Sequence, residues 1–367
     1  MLFINNATVE HVLTMADCID VQEQAFRQSL SGKAMQRGRL DFYAPCDRED
    51  GYYRWGTMEG VSHGVLAIRM KSDVVTWPRD EMGRMTEDKY CVEPGTYCGL
   101  IFLLSTENGE PLAIINDGYI QHMRVGGGAG IGVKHLSREN SSIVGILGSG
   151  GMARTFLDAF LVVRPIKTVK VYSPTKDHRE RFAREMSAKY NIDVFAVNSP
   201  EEAVHSVDIL STCTDSMVPT VRPEWLEPGM HLANLGPAEI DGSVMAQVDV
   251  VIRQGTSGLR VVKNDRVVVG VGHSPVAFVA GTDEEVKRLP ERTPPISGFK
   301  ADSANYSDLI SGKVAGRTTE DQITFYHNMG NQGLQFSAVG SIVYEKAKQQ
   351  RLGRELPTEW FLQDIRD

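Results

Sequence analysis

The chain is poor in cysteine, has no long apolar run and carries no excess of positive charge. It has five cysteines in 367 residues, and its 39 basic and 47 acidic side chains leave a formal net charge of −8. Few, scattered cysteines exclude a disulfide scaffold and favour a reducing, cytoplasmic compartment. A mildly acidic chain also argues against nucleic-acid binding, because phosphate backbones are bound by basic surfaces.

The signatures of export, membrane insertion and metal binding are missing as well. The N-terminus lacks the basic and apolar segments of a signal peptide. The longest apolar stretches of the chain, such as residues 100–104, are far too short to span a bilayer. No HExxH or CxxC pattern occurs, so we expect no metal. What is left is a globular chain long enough for two domains.

The first third of the chain predicts one helix and then antiparallel strands. Met15–Leu30 carries apolar residues at helical spacing and stops before a glycine. From residue 39 to residue 115, short aromatic and β-branched runs are separated by turn pairs such as Asn108-Gly109. These pairs favour antiparallel hairpins.

After residue 142 the pattern changes to alternating strands and helices. Between the two regions, the glycine-rich residues 118–138 predict a helix in tight contact with a neighbour or a ligand. Strands are predicted at residues 143–147, 169–172, 194–197, 208–213, 231–234 and 249–252, and helices at residues 152–163, 177–190 and 200–205. This alternation is typical of a parallel sheet with helices on both faces.

We therefore expect an α/β chain of two domains. Residues 126–317 are predicted to form a Rossmann-type parallel-sheet domain, and residues 1–125 an α+β antiparallel-sheet domain. A helical pattern at residues 319–348 predicts that the C-terminal part, about 318–367, returns to the first domain after a loop at residues 289–307.

The most informative motif follows the predicted strand at residues 143–147. It is Gly148-Ser-Gly-Gly-Met-Ala153, a GxGxxA pattern. In a dinucleotide-binding turn, the first glycine permits the tight turn, the second lets the backbone approach a pyrophosphate, and the small last residue lets helix and strand pack. The strand before the motif and the alternation after it favour a dinucleotide site over a plain turn. The candidate contacts are Gly148, Ser149, Gly150, Gly151, Met152 and Ala153.

The end of the second strand indicates which nicotinamide dinucleotide would bind. An acidic residue there accepts a hydrogen bond from the ribose of NAD, whereas hydroxyl and basic groups tolerate a 2′-phosphate. This chain has Ser173 at that place, with Thr175 and Arg179 nearby, and Asp177 lies past it. We therefore favour NADP(H) over NAD(H). Further cofactor contacts are expected at the carboxyl end of a later strand, namely Thr214, Asp215 and Ser216.

Several segments of the chain carry more information together than singly. They are Leu66-Ala-Ile-Arg-Met-Lys-Ser72, His122-Met-Arg124-Val-Gly, Gly148-Ser-Gly-Gly-Met-Ala-Arg154, Ser211-Thr-Cys-Thr-Asp-Ser216, and Gly316-Arg317 with Ile323-Thr-Phe325. In this order they resemble the ornithine cyclodeaminase and mu-crystallin family over nearly the whole chain. The resemblance implies a homodimer built through the first domain, an NAD(P) domain in the middle, and hydride chemistry at the Cα of an amino or imino acid.

The resemblance also implies a small carboxylate-bearing substrate held by three cations. The matching residues here are Arg39, or alternatively Arg37, together with Arg69 and Arg124. Cyclodeaminases have lysine where this chain has Arg69, and Lys71 lies two residues on, on the same face of a strand. A planar guanidinium can hold a carboxylate through two hydrogen bonds. Arg39, Arg69, Lys71 and Arg124 are therefore the candidate catalytic residues.

Two positions depart from the cyclodeaminase pattern. Family members that act on ornithine resemble one another in having an acidic residue before Met58 and an Asp after Gly236. This chain has Trp55-Gly56-Thr57 at the first place and Pro237-Ala238 at the second. None of these side chains can hold an ammonium group or carry its proton, which puts ornithine as substrate in doubt.

The general acid or base stays open between Glu59, Asp73 and His122, which lie in or beside the matching segments. Cys213 is expected to pack beside the cofactor rather than to act as a nucleophile. An aromatic cluster between residues 42 and 55 is expected on a sheet face or a dimer interface. The arginines near it leave room for a second substrate carboxylate; they are Arg37, Arg39, Arg48 and Arg54.

Three functions follow as hypotheses. The leading one is an NAD(P)-dependent oxidoreductase that reduces a small α-imino acid or oxidises the matching amino acid. The alternative enzyme is a cyclodeaminase, in which NAD⁺ takes a hydride, ammonia leaves and the hydride returns. The third is a small-ligand binding protein controlled by NADP(H), because some mu-crystallin-like members look like carriers of this kind.

Overall fold

The computed structural model describes residues 1–79, 83, 85–236, 238–255, 266–271, 274–290 and 303–365. The strands, in chain order, are β1 (Leu2–Ile4), β2 (Met35–Ala44), β3 (Gly51–Ser62), β4 (Val65–Thr76), β5 (Asp88–Cys91), β6 (Glu93–Pro94), β7 (Cys98–Ser105), β8 (Pro111–Asn116), β9 (Ile143–Leu147), β10 (Thr168–Tyr172), β11 (Asp193–Ala196), β12 (Ile209–Thr212), β13 (His231–Asn234), β14 (Val250–Arg253), β15 (Val267–Val271), β16 (Ser274–Val279), β17 (Thr324–His327) and β18 (Arg354–Glu355). The helices are α1 (Asn6–Val12), α2 (Met15–Leu30), α3 (Gly118–Leu136), α4 (Gly151–Val163), α5 (Lys176–Tyr190), α6 (Pro200–Val204), α7 (Gly242–Met245), α8 (Asp283–Val286), α9 (Tyr306–Ile310) and α10 (Gln332–Gln349).

The first sheet is mixed and mostly antiparallel. Its strand order is β15-β16-β2-β3-β4-β7-β8-β1-β18, and β5 and β6 extend from β4 as a side branch. Along β4 every second residue is buried, which is the alternation of a sheet with one covered face. We call the covered side, which carries Arg69 and Lys71, the inner face, and the opposite side the outer face.

The second sheet is parallel, with the order β11-β10-β9-β12-β13-β17-β14. The first strand of this region, β9, lies beside both β10 and β12, so the strand order reverses there. This is the Rossmann arrangement, and it confirms the α/β fold class expected from the sequence.

Helix α3 joins the two sheets and owes its position to its glycines. A β-carbon at Gly132 would lie 2.4 Å from Cγ of Tyr326 on β17, and one at Gly126 would lie 2.5 Å from the carbonyl oxygen of Thr155 on α4. Both distances are far below van der Waals contact, so larger residues would push the helix away. Of the two explanations for this glycine-rich stretch, tight packing accounts for these two positions.

The motif residue Arg317 has a structural place in the fold. Its Nε donates to the carbonyl oxygen of Leu136 at the end of α3 over 2.9 Å. Its Nη2 donates to the carbonyl oxygen of Gly229 just before β13 over 3.1 Å. One guanidinium thus satisfies carbonyl groups at the amino edge of the parallel sheet, and Arg317 stabilises the fold there.

The alternation predicted from the sequence is confirmed nearly residue by residue. Helix α2 and strands β9 and β13 have the predicted bounds, and the other predicted strands and helices of the parallel sheet differ by one or two residues at their ends. The predicted antiparallel hairpins are present as β2 with β3, β3 with β4, and β7 with β8.

The prediction of one continuous helix at residues 319–348 was wrong in its first part. Residues 324–327 form β17, which lies between β13 and β14, and the helix α10 starts only at Gln332. The strand is fully buried apart from His327, and Asn331 with φ 56° separates it from α10. A short buried strand has no helical or alternating period, which is why the pattern missed it.

Each of the two sheets contains a strand from beyond the domain boundaries expected after residues 125 and 317. Strands β15 and β16 come from the middle of the chain and join the mixed sheet, while β17 comes from the C-terminal part and joins the parallel sheet. The boundaries therefore stay a prediction. Of the loop predicted at residues 289–307, residues 291–302 lie outside the described part of the chain.

Candidate active site

A cavity of about 930 Å³ opens along the carboxyl ends of β9, β10 and β12. Open parallel sheets bind their ligands at this edge. Most cofactor contacts expected from the sequence line the cavity, namely Gly148, Ser149, Gly150, Gly151, Met152, Ser173, Thr175, Thr214, Asp215 and Ser216. The other two, Ala153 and Arg179, do not. Ala153 is fully buried behind the turn, as its packing role requires.

The glycine turn leaves space for a phosphate group. Gly148 has φ +107°, and a β-carbon there would lie 2.2 Å from the carbonyl oxygen of Cys213, so only glycine fits. Gly150 has no heavy atom of the described chain within 4 Å of its β-carbon position. It precedes α4 without a side-chain cap, so the first N–H groups of that helix face this space. A pyrophosphate fits such a place in size and charge.

The end of β10 presents hydroxyl groups to the cavity. Ser149 Oγ donates to Ser173 Oγ over 3.0 Å, which joins the glycine turn to this strand end. Arg179 is buried, and its Nη1 donates to the carbonyl oxygen of Ser173 over 2.8 Å. Arg179 therefore supports the strand end from behind, while His178 of the same helix lines the cavity.

Glu239 fixes the two loops on the other side of the cavity. Its fully buried carboxylate accepts hydrogen bonds from the backbone N–H of Thr214 over 2.6 Å and of Leu235 over 3.0 Å. The hydroxyls of Thr212 and Thr214 and the N–H of Gly236 complete the set. Sequence reasoning missed this residue, although a Glu shortly after Gly236, beside a departure from the family pattern, was a signal.

Two further residues border the cavity. His122 of α3 is exposed, and its Cε1 lies 3.1 Å from the β-carbon position of Gly151. Cys213 is buried beside Ser211, and burial raises the pKa of its thiol well above the ordinary value. A neutral thiol is a poor nucleophile, which supports the packing role expected for Cys213.

The four candidate catalytic residues come from β2, β4 and α3. They lie close enough that, beside the effect of burial, the charges of Arg69 and Arg39 lower the pKa of Arg124 and the charge of Arg39 lowers that of Lys71. Arg69 and Lys71 lie on the inner face of β4, and their charged groups lie 5.8 Å and 5.4 Å from the ring centroid of Tyr97. Arg69 and Arg124 lie 5.4 Å and 4.9 Å from the ring centroid of Phe336 on α10. We call Arg39, Arg69, Lys71 and Arg124 the cation cluster.

Three members of the cation cluster have carboxylate partners. Arg39 donates from Nε and Nη2 to Asp41 over 2.9 and 2.7 Å. Arg69 donates from Nε to Asp117, and Lys71 Nζ lies 3.0 Å from Asp73.

Arg124 differs from the other three. Its Nη1 donates to Gln335 Oε1 and its Nη2 to Gln121 Oε1, both over 2.9 Å, and its buried Nε has no partner among the described residues. No described carboxylate pairs with it, and it is 8% exposed. Burial and then the charge of Arg69 lower the pKa of Arg124 to about 9, which leaves it protonated at neutral pH. The site therefore holds a buried positive charge that the described chain leaves unneutralised.

The arginines around the aromatic cluster are occupied by carboxylates of the chain. Arg37 pairs with Glu59, and Arg48 pairs with Asp50. The fully buried Arg54 pairs with both Asp73 and Glu87, at 2.8 and 2.9 Å. None of these pairs supports a second substrate carboxylate.

Residues 57 and 59 face away from the cation cluster. Thr57 and Glu59 lie on the outer face, where the guanidinium of Arg37 bonds both side chains. Arg37 is therefore a poor alternative to Arg39, and Glu59 a poor acid or base. The aromatic cluster is divided between the faces: Phe42 packs on Trp55 and Phe278 on the outer face, whereas Tyr43 and Tyr52 are buried together on the inner face.

Within the described residues, no group of His, Cys, Asp and Glu is arranged to hold a metal ion. None of the helices described above combines the length and apolar character needed to cross a bilayer.

Comparison with known proteins agrees with the arrangement of motifs. The model described as the ornithine cyclodeaminase/mu-crystallin family matches residues 1–351. The chain belongs to this family. The resemblance inferred from the sequence motifs is confirmed.

Relatives of known name cover nearly the same length. The chain is 27% identical over 301 residues to a delta(1)-pyrroline-2-carboxylate reductase of Bacillus cereus, covering 82% of this chain and 83% of the relative. It is 28% identical over 360 residues to an alanine dehydrogenase of Archaeoglobus fulgidus, covering 97% and 98%. The solved delta(1)-pyrroline-2-carboxylate reductase of Thermococcus litoralis, in complex with NADH and L-proline, superposes with a TM-score of 0.73 at 24% identity over 97% of this chain and 100% of that one.

The two glycines of the turn should respond differently to alanine. We expect Gly150→Ala to leave the melting temperature unchanged but to weaken dinucleotide binding by about tenfold or more, because its methyl group enters the space open to phosphate. Gly148→Ala should instead lower the melting temperature, because its β-carbon meets the Cys213 carbonyl. Thermal melts and fluorescence titration with NADPH measure both. Unchanged affinity in Gly150→Ala would contradict the site.

Proposed function

We propose that this chain is an NAD(P)-dependent oxidoreductase that reduces a small α-imino acid to the amino acid, or catalyses the reverse oxidation. The observation that carries the proposal is Arg124, a buried guanidinium bonded to two amide oxygens and to no described carboxylate. A buried charge without a partner is costly, so a ligand carboxylate is its natural counter-charge.

The residues of the two regions divide the work. The turn at Gly148 and Gly150 and the start of α4 hold the pyrophosphate, while Arg124 and Arg69 hold the substrate carboxylate with support from Arg39. When bound, the reduced nicotinamide supplies a hydride to the imino carbon. The Thr214 loop, fixed by Glu239, forms the wall of the cavity on that side. Fixed geometry of this kind supplies a large part of the rate.

The names of the relatives support the same chemistry. Pyrroline-2-carboxylate is a cyclic α-imino acid, and alanine is a small α-amino acid. Both carry one carboxylate beside the reacting carbon, which matches a site with one unneutralised arginine among the described residues.

Cyclodeamination of ornithine receives no comparable support. Positions 57 and 238 carry Thr and Ala, and the described carboxylates beside the cation cluster each bond a cation of the chain. A binding protein for aromatic ligands is not favoured either, because Phe42 and Trp55 lie on the outer face and Tyr43 and Tyr52 are buried in a core cluster with Val75, Ala277 and Val279.

An activity assay of the wild-type protein and of the variant Arg124→Gln tests the proposal. We expect the protein to oxidise NADPH or NADH in the presence of a cyclic imino acid such as pyrroline-2-carboxylate, followed by absorbance at the nicotinamide band. Arg124→Gln should lower kcat/KM by about 30-fold or more, since removing one partner of a buried charge pair costs about 2–5 kcal/mol. Arg138→Gln, which loses an ion pair with Asp208 at the opposite edge of the sheet, is the matched control. No turnover with any imino acid would overturn the proposal.

We favour NADP(H) as the cofactor. Ser173 and Thr175 present hydroxyls to the cavity, and His178 adds a group that can carry positive charge. An acidic residue is absent at the end of β10, where NAD proteins carry one.

Substitution at residue 173 tests this preference. Ser173→Asp should lower the ratio of kcat/KM for NADPH over NADH by about tenfold or more, because a carboxylate repels a 2′-phosphate. Ser199→Asp is the control, since it adds the same charge at a helix N-cap position that accepts Asp as readily as Ser. A wild-type protein that prefers NADH would contradict the assignment.

The outer face of the mixed sheet supports a homodimer. Ile68, Phe102 and Ile114 lie directly opposite one another across β4, β7 and β8, and all three are half-buried in the single chain. A row of half-exposed apolar residues on a sheet face that no described helix covers is typical of a protein interface.

The dimer can be tested by one charge on this face. Sedimentation equilibrium of the wild-type protein should give twice the mass of the chain, and Phe102→Asp should give the single mass while still binding cofactor. Phe195→Asp, at an exposed position of β11 on the other sheet, is the control and should remain dimeric. A monomeric wild-type protein would contradict the proposal.

A further inference from the structure

Lys71 stands apart within the cation cluster by its chemistry. The other three members are arginines, whose guanidinium groups stay protonated near neutral pH. A lysine ammonium can give up its proton when its surroundings disfavour the charge. Reduction of an imino acid needs one proton at nitrogen for each hydride at carbon, so a group of this kind has a use in the site.

The position of Lys71 on β4 would let it reach the imino nitrogen of a substrate whose carboxylate is held by Arg69. Lys71 is two residues from Arg69 on the same face, and such residues lie about 6.6 Å apart along a strand. The imino nitrogen of an α-imino acid is two bonds from its carboxylate carbon. The charged groups of Arg69 and Lys71 both approach the ring of Tyr97, at 5.8 and 5.4 Å, so one small ligand that reaches this ring can contact both.

The surroundings hold Lys71 in place and disfavour its charge. Lys71 is 7% exposed, and its Nζ lies 3.0 Å from Oδ2 of Asp73. Asp73 is in turn held by Nε and Nη2 of Arg54, over 2.9 and 2.8 Å. Burial lowers the pKa of Lys71 well below its ordinary value, and the charges of Arg54, Arg39 and Lys89 act in the same direction while Asp73 opposes them. In the described part of the chain, the charged or titratable groups around it are Arg39, Asp41, Arg54, Arg69, Asp73, Glu87, Lys89, Tyr97 and Asp117.

We propose that Lys71 is the proton donor of the reaction and that the buried Arg54–Asp73 pair positions it. The inference rests on the proposed function. In the reductive direction, the Lys71 ammonium transfers one proton to the imino nitrogen, the carbon–nitrogen double bond becomes a single bond, and the hydride of the reduced nicotinamide adds to the carbon. The products are the amino acid, the oxidised cofactor and neutral Lys71, which regains a proton from water. Arg54 and Asp73 are positioning residues.

The pH profile of Lys71→Arg is the decisive kinetic test. In the wild-type protein, kcat for imino acid reduction should fall as pH rises, because the ammonium is lost. Lys71→Arg keeps the positive charge beside Asp73 but cannot donate a proton, so kcat should fall by about 100-fold or more with little change in KM, and the alkaline decline should disappear. Lys71→Gln should lose kcat to a similar extent. Lys313→Gln, which changes an exposed lysine paired with Asp308 on α9, is the matched control and should keep the wild-type profile.

A binding measurement gives a readout independent of turnover. Pyrrole-2-carboxylate is a flat, unreactive carboxylate of the same class, and its negative charge favours the ammonium form of Lys71. Calorimetry in two buffers of different ionisation enthalpy should show proton uptake on binding to the wild-type protein in the alkaline range. The uptake should be absent in Lys71→Arg, with the melting temperature and dinucleotide affinity of the variant retained.

The outcomes separate this inference from the proposed function. A wild-type protein that reduces no imino acid overturns both. A wild-type protein that does so, with Lys71→Arg retaining kcat, the alkaline decline and the proton uptake, overturns the role of Lys71 alone. The same holds if His122→Gln, rather than Lys71→Arg, removes the alkaline decline.

Discussion

The unneutralised charge of Arg124 is the constraint on which the site depends. A guanidinium inside a protein loses its hydration, and only an opposite charge or a full set of hydrogen bonds makes up for that loss. Here two amide oxygens and the face of Phe336 provide partial compensation, and the described chain provides no carboxylate. A ligand carboxylate would supply the opposite charge that Arg124 lacks among its direct hydrogen-bond partners in the described chain.

Helix α3 carries residues of both the cation cluster and the dinucleotide cavity. Arg124 and His122 are two residues apart on the helix, and one lies in the cation cluster while the other borders the dinucleotide cavity. The helix can hold both positions only because its glycines let it approach β17 on one side and α4 on the other. A bulkier helix would separate the mixed sheet from the parallel sheet and so separate substrate from cofactor.

The parts of the structure that could be predicted from sequence are those governed by local pattern. The alternation after residue 142, the GxGxxA turn and the hairpins depend on spacing within a few residues, and the structure follows them. The features that could not be predicted from sequence depend on contacts between distant residues. Strand β17 is defined by its pairing with β13 and β14 on either side. Arg179 donates to the carbonyl oxygen of Ser173 and does not line the cavity. Glu239 bonds two loops that are distant from each other in the sequence. No window of sequence contains that information.

The charge arrangement also explains why reduction is favoured over cyclodeamination. A cyclodeaminase must hold a second, positively charged amino group and manage its proton, which requires a carboxylate free to face the substrate. In the described part of this chain, Asp41, Asp73 and Asp117 are each committed to a cation of the chain. Releasing one of them would leave its partner as a second buried charge without compensation. The pairs that stabilise the cluster therefore leave no described carboxylate free for the distal ammonium of a diamino acid, which is why we propose a substrate with one carboxylate and no distal charge.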